Sequence, residues 1–110
     1  MITQRIQGQY TVLELQGDIN LYMVGELRRE ILSTLHAGGI RRVALDLSRV
    51  GHIDSSGLGL LVQLHRTYEG TDGMGFVLLS LPQPLQTALR KASLDSYFKT
   101  AVEQDLAAAG

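Results

Sequence analysis

The chain of 110 residues is long enough for one globular domain, and its composition excludes several classes of protein. It contains no cysteine, which rules out disulfides and thiolate metal sites and fits a reducing compartment. A formal net charge of −1 with both signs interspersed, and the absence of tryptophan, argue against a nucleic-acid binder. The N-terminus lacks the pattern of a signal peptide, and the longest strongly apolar stretch, Leu58 to Val62, is too short to span a bilayer. We therefore expect one cytoplasmic domain over residues 1–110, without membrane insertion, metal or cofactor.

The first residues predict a β-hairpin. Tyr10 to Leu15 has the composition of a strand, with Val12 and Glu14 on one face. The segment from Ile2 to Ile6 alternates with the same period and would form the preceding arm, with Gly8 in the turn.

An amphipathic helix is predicted next. Asn20 is a residue type that commonly caps a helix N-terminus, and Gly38-Gly39 would end the helix. Tyr22 and Met23 in its first turn could be either exposed apolar contacts or part of the core. The apolar side chains that recur at helical spacing are Val24, Leu27, Ile31 and Leu35.

Two further strand–helix units and a final strand complete the prediction. Arg42 to Leu47 is typical of a central strand and Phe76 to Leu79 of a short buried one, with a turn cluster at residues 70–73 before the latter. Pro84 fits the first turn of a third helix, Phe98 to Val102 could be a last strand, and a last helix would start at Glu103. The apolar faces of the second and third helices are Leu60, Leu61, Leu64 and Tyr68, and Leu85, Ala88, Leu89 and Ala92. Strands alternating with helices predict an α/β domain, and the hairpin makes its sheet mixed.

The most informative stretch is Asp54-Ser55-Ser56-Gly57-Leu58-Gly59, which lies between a buried strand and the second helix. Asp54 and Ser55 stand where that helix begins, so both could simply accept hydrogen bonds from its free N–H groups. A helix N-terminus also stabilises added negative charge and presents N–H groups to phosphate oxygens. The same residues are therefore compatible with a phosphorylated serine.

This run, preceded by Leu45-Asp46-Leu47, resembles the signature of STAS-domain anti-sigma factor antagonists, and the resemblance covers nearly the whole chain. Gly17-Asp18-Ile19-Asn20 and Ala92 to Phe98 are similar to two further stretches of that family. The resemblance implies a single STAS domain with a mixed β-sheet, an N-terminal hairpin and helices packed mainly on one face.

The resemblance also implies a function without catalysis. Ser55 would be the phosphoacceptor, and the unphosphorylated domain would bind an anti-sigma factor serine kinase and release a sigma factor. A serine phosphatase would reset the switch. Asp54, Ser56, Gly57 and Gly59 would shape the switch loop and the partner-binding surface.

Two positions depart from the family pattern. Asn20 stands where many members carry Asp, so partner affinity or partner choice could differ here. Ser93 stands where Gly is common, which makes a left-handed backbone less comfortable.

Two other functions are compatible with the sequence. Stand-alone STAS domains also serve as accessory subunits of ABC-type lipid transporters, although the intact Asp-Ser-Ser-Gly run argues against this. A nucleotide-binding enzyme is a weaker candidate, because neither a dinucleotide fingerprint nor a P-loop is present. His36, His52 and His65 show no metal-binding pair at i, i+4 and are interpreted as ordinary polar residues.

Overall fold

The computed structural model describes residues 2–69, 73–102 and 106, and within them five strands and three helices follow one another. The strands are β1 (Ile2–Gln7), β2 (Tyr10–Gln16), β3 (Arg42–Arg49), β4 (Gly75–Leu79) and β5 (Thr100–Ala101). The helices are α1 (Leu21–Gly38), α2 (Ser55–Tyr68) and α3 (Gln83–Lys91).

The strands form one mixed sheet in the order β1-β2-β3-β4-β5. β1 is antiparallel to β2, and β2 to β5 run parallel, which confirms the predicted hairpin and the mixed sheet. Gly8 opens the two-residue hairpin loop with φ 62°, and its neighbour Gln9 has no positive φ. This is the pattern of a type II′ turn, which requires glycine at its first central position.

The three helices pack on one face of the sheet, over a core that includes alternate residues of the central strands, such as Leu13, Leu45 and Leu78. The predicted apolar faces of α1 and α2 are confirmed: Leu27 is partly buried, and the other predicted residues of both faces are buried. In α3, Leu85 and Leu89 are buried, but Ala92 is exposed because it is the residue at which the helix ends.

Each helix ends for a local reason. Gly39 has a left-handed backbone with φ 59°, and the N–H of Ile40 donates to the Leu35 carbonyl oxygen at 3.0 Å, which stops α1 where Gly38-Gly39 predicted. After α3, Ser93 takes φ 59°, so the left-handed position expected to be uncomfortable for serine is indeed occupied by it.

The predicted last strand is shorter than expected. Only Thr100 and Ala101 pair with β4, because the chain before them forms turns in which Phe98 is buried. Phe98 packs there with its ring edge-on to Tyr97 and His65, at centroid distances of 5.1 and 5.5 Å. The predicted turn at residues 70–73 and the helix from residue 103 lie largely outside the described residues. Of the latter, Leu106 is described as helical and buried.

The opposite face of the sheet carries a smaller apolar cluster and, beside it, a group of charged side chains. Val12, Ala44 and Leu106 belong to the apolar cluster. Glu14 lies on the same face of β2 as Val12, as predicted, where it joins a network that the sequence did not reveal.

Asp46 is the buried centre of this network. Only 5% of Asp46 is exposed, and its Oδ2 accepts a hydrogen bond of 2.7 Å from Nη2 of Arg5, two strands away. Nη1 of Arg5 donates to Glu14 at 3.3 Å, and Nε of Arg49 lies 3.3 Å from the other oxygen of Glu14. Arg5 thus ties β1 across β2 to β3.

The surroundings of Asp46 act on its pKa in opposite directions. Burial alone would raise it, but hydrogen bonds from Arg5 and Ser48 and the positive charge of Arg5 outweigh burial and hold the pKa of Asp46 below its usual value of 3.8. The folded protein therefore binds a proton at Asp46 less readily than the unfolded chain does. The resulting stabilisation is present above pH 3.8 and is lost as the pH falls through the lower folded-state pKa.

We expect Asp46→Asn to lower the free energy of unfolding at pH 7 by about 1.5–3 kcal/mol, the range for a hydrogen bond to a charged group. The variant should also lose less stability than the wild type between pH 5 and pH 2.5, because the carboxylate responsible is gone. Urea unfolding across this pH range measures both effects. Asp95→Asn, which alters an exposed carboxylate, is the control and should keep the wild-type acid dependence; an Asp46→Asn curve parallel to it would contradict the assignment.

Candidate functional site

The site forms at the carboxyl ends of the parallel strands β2 and β3, where two loops run side by side. Ile19 and Ile53 make an isolated parallel bridge between the loops. The N–H of Ile19 donates to the His52 carbonyl oxygen at 2.9 Å, and the N–H of Asp54 donates to the Ile19 carbonyl oxygen at 3.1 Å. These bonds extend the sheet by one step and bring the first residues of α1 and α2 together.

Asp54 binds the N-termini of both helices with one carboxylate. Its Oδ1 accepts from the N–H of Gly57 at 3.1 Å and caps α2. Its Oδ2 accepts from the N–H of Leu21, the first residue of α1, also at 3.1 Å. Since helix N-termini carry partial positive charge, a carboxylate shared between two of them is favourably placed.

Asn20 caps α1, as predicted. Its Oδ1 accepts from the N–H groups of Tyr22 at 3.0 Å and Met23 at 3.2 Å. Asn20 and Asp54 together therefore satisfy three of the N–H groups that α1 leaves free in its first turn.

Gly57 is required by the close approach of the two loops. A Cβ atom on Gly57 would lie 2.5 Å from Cγ1 of Ile53, 2.8 Å from Cγ2 of Ile19 and 2.9 Å from the Ile19 carbonyl oxygen. No side chain fits there unless the bridge between Ile19 and Ile53 moves. Gly59, two residues further along the helix, has no atom within 4 Å of the corresponding hypothetical Cβ position.

Ser55 is the first residue of α2 and is exposed. The interpretation that both Asp54 and Ser55 act as caps is wrong for Ser55, because Asp54 alone accepts the capping hydrogen bond. Within the described part of the chain, neither the Ser55 hydroxyl nor the backbone N–H groups of Ser55 and Ser56 make a hydrogen bond. Ser56 is half-buried beside it.

A second acidic residue, Asp18, forms a further hydrogen bond between the two loops. Oδ1 of Asp18 accepts from the N–H of His52 at 3.1 Å, and a Cβ atom on Gly51 would lie 3.0 Å from that oxygen. This contact was not predicted, because Asp18 and His52 are 34 residues apart. The Gly17-Asp18 pair directly after a strand was the only signal for it that we find in the sequence.

Three apolar side chains at the start of α1 are exposed next to these loops. Leu21 is 67% exposed, Tyr22 92% and Met23 45%. The question that the sequence left open for Tyr22 and Met23 is thereby answered: neither belongs to the core. We call Leu21, Tyr22 and Met23 the apolar patch.

Among residues 2–69, 73–102 and 106, no group of three acidic, histidine or cysteine side chains could hold a metal ion. None of the helices in the same residues is long and apolar enough to cross a membrane.

One family model covers nearly the whole sequence. The family profile of the STAS domain matches residues 1–109, and the chain belongs to the STAS domain family.

Several of the proteins similar to this chain are named anti-sigma factor antagonists. The anti-sigma-B factor antagonist of Staphylococcus aureus is 29% identical over 72 residues, which are 66% of this chain and 66% of that protein, just under two thirds of its length. An anti-sigma-factor antagonist (STAS) domain protein from Planctomyces limnophilus superposes with a TM-score of 0.82 at 20% identity, covering 98% of this chain and 95% of that one.

The anti-sigma factor antagonist SpoIIAA has been solved in two states. The unphosphorylated form has a TM-score of 0.73, covering 96% of this chain and 91% of that one. The phosphorylated Bacillus form has a TM-score of 0.66, covering 96% and 95%. Both are 20% identical to this chain, a level at which the likeness establishes the fold.

We expect Gly57→Ala to destabilise the domain by about 1–3 kcal/mol, the usual cost of forcing an extra methyl group into a filled space. The matched variant Gly59→Ala should instead stabilise the domain by up to about 1 kcal/mol, because its methyl group meets open space and alanine favours a helix. Urea unfolding of the two variants tests the opposite signs. A Gly57→Ala variant as stable as Gly59→Ala would show that the two loops are not in close contact.

Proposed function

We propose that this chain is an anti-sigma factor antagonist: a protein-binding switch without catalytic activity, whose phosphoacceptor is Ser55. The observation that carries the proposal is the position of Ser55, exposed at the first residue of α2 while the neighbouring Asp54 does the capping. A kinase can therefore reach the Ser55 hydroxyl without disturbing the helix.

The helix start also suits the modified residue. A phosphoserine adds about −1.5 to −2 charges at neutral pH. The N–H groups of Ser55 and Ser56 can donate to its oxygens, and the partial positive charge at the start of α2 stabilises it. We therefore expect the phosphorylated domain to keep its fold.

The new charge would act mainly on the partner. The Asp54 carboxylate is already one residue away, so a phosphate on Ser55 adds to a negative charge that this surface already carries. The same surface carries the apolar patch, which is the natural contact for an unphosphorylated docking partner, because apolar side chains lose contact with water there. Phosphorylation would place a strong negative charge beside the apolar patch.

In this proposal the partner is an anti-sigma factor serine kinase, which the unphosphorylated domain binds so that a sigma factor is released. A serine phosphatase restores the binding form. The names of the relatives and the two solved phosphorylation states of SpoIIAA support this assignment. Ser56, Gly57 and Gly59 shape the loop that the kinase approaches, and Asn20 contributes a neutral cap at its border. The proposal includes a cytoplasmic location, where such partners would be found.

We expect one phosphoryl group to be transferred to the wild type by its kinase and ATP, and none to Ser55→Ala. Ser55→Ala should unfold within about 0.5 kcal/mol of the wild type, because an exposed residue that is not the cap contributes little to stability. Ser56→Ala is the matched control and should still be phosphorylated. Mass spectrometry with fragmentation locates the group.

Affinity for the kinase provides the second readout. Ser55→Asp should bind the kinase more weakly than the wild type, but less weakly than the phosphorylated domain, because aspartate carries less charge than phosphate. Phosphate located on Ser56, or equal affinities of the wild type and Ser55→Asp, would refute Ser55 as the switch.

A further inference from the structure

Among residues 2–69, 73–102 and 106, the outer edge of β1 has a defined set of backbone groups that are available for pairing. β1 is the first strand of the sheet and pairs with β2 without a register shift from Ile2↔Leu15 to Gln7↔Tyr10. In a two-residue hairpin the pair next to the loop is hydrogen-bonded, and bonded and non-bonded pairs then alternate. The N–H and C=O groups of Thr3, Arg5 and Gln7 therefore point to β2, and those of Ile2, Gln4 and Ile6 point outwards.

β1 lacks the features that usually prevent an edge strand from pairing with another chain. β1 contains neither lysine nor proline and is continuous over six residues. Its one charged side chain, Arg5, reaches across β2 to Asp46 and so points away from the edge. Ile6 lies on the helix-bearing face and is 75% exposed, which makes it the most exposed large apolar side chain in β1 to β5.

The sequence of β1 is complementary to itself in one antiparallel register. If Gln4 faces Gln4 of the partner subunit, each Ile2 faces the partner's Ile6 and each Thr3 faces the partner's Arg5. All three outward-pointing residues then pair, which gives six backbone hydrogen bonds. A register centred on Arg5 would oppose two arginines and would pair only Gln4 with Ile6 among the outward-pointing residues, which gives four backbone hydrogen bonds instead of six.

We propose that β1 pairs with β1 of a second copy of this chain about a twofold axis at Gln4, joining two five-stranded sheets into one of ten strands. The isoleucine pairs would cover the exposed Ile6, which would face the partner's Ile2. Ile2 is already packed on the core of its own domain. Each Ser55 site lies at the carboxyl ends of the parallel strands of its own copy. Because the strands of the two copies run in opposite directions, the two Ser55 sites face opposite ends of the joined sheet. Dimer formation and partner binding at Ser55 are therefore compatible, and neither depends on the other.

Single-cysteine variants test the register directly, because the chain has no cysteine of its own. In Gln4→Cys the two Cα atoms face each other at about 5.5 Å, within the range of a disulfide. In Thr3→Cys they are offset by two residues, about 7 Å along the strand, which puts them out of reach. Under mild oxidation at high protein concentration, we expect Gln4→Cys to form a disulfide-linked dimer at least tenfold faster than Thr3→Cys.

Sedimentation velocity of the cysteine-free protein provides the independent readout. An interface of one strand pair is small, so we expect a reversible dimer at concentrations on the order of 100 µM. Ile6→Lys should weaken the dimer at least tenfold by placing a charge at the edge. Gln63→Lys, which adds the same charge on the exposed side of α2, should leave it unchanged. A wild type that stays monomeric at 1 mM, equal cross-linking of the two cysteine variants, or equal dimer affinity of Ile6→Lys and Gln63→Lys would overturn the proposal.

Discussion

The site depends on the two hydrogen bonds that the Asp54 carboxylate accepts from the N-termini of α1 and α2. The carboxylate accepts them from the first turn of α2 and the first residue of α1, and so fixes two helices that start from different strands. A side-chain cap at a helix N-terminus contributes about 0.5–2 kcal/mol, a large share of the stability of a small domain. The backbone bonds between Ile19, His52 and Asp54 hold the carboxylate in place. Gly57 allows the loops to approach closely enough for both bonds to form.

Capping of the helices and exposure of a hydroxyl group are assigned to two neighbouring residues. Asp54 caps the helices, so the Ser55 hydroxyl makes no capping hydrogen bond and stays exposed. A modification of Ser55 can then change the charge of the surface while the interactions beneath it persist. The apolar patch at the start of α1 is held beside Ser55 by the same carboxylate, through the N–H of Leu21. In the proposed function, fold stability and partner recognition therefore depend on adjacent residues but on different atoms.

Most of the fold could be predicted from the sequence because its helices and strands have clear periodicity. The apolar spacing of Ile31 and Leu35, and of Leu61 and Leu64, identified the faces that are buried, and Asn20 and Gly39 marked the two ends of α1. Ala92 was assigned to a buried face because periodicity alone does not locate the last turn of a helix. The last strand was overestimated because Phe98 is buried by turns rather than by pairing.

The unpredicted parts of the site depend on contacts between residues distant in sequence. The hydrogen bond from Leu21 to Asp54 joins residues 33 apart, and the pairing of Arg5 with Asp46 joins residues 41 apart. In the sequence, Asp46 is one polar residue in an apolar strand. Its partner, Arg5, is identified only when the order of the strands in the sheet is known. Whether Tyr22 lay in the core or outside it likewise required knowing which face of α1 meets the sheet.

Amide hydrogen exchange of the first turns of both helices, followed by NMR in the wild type and in Asp54→Ala, tests the double role of Asp54 most directly. We predict that the amides of Leu21 and Gly57 lose protection together in the variant. The amides of Tyr22 and Met23, which Asn20 holds, should retain most of theirs. If Gly57 alone lost protection while Leu21 exchanged as in the wild type, Asp54 would be an ordinary cap of α2 and would not join the two helices.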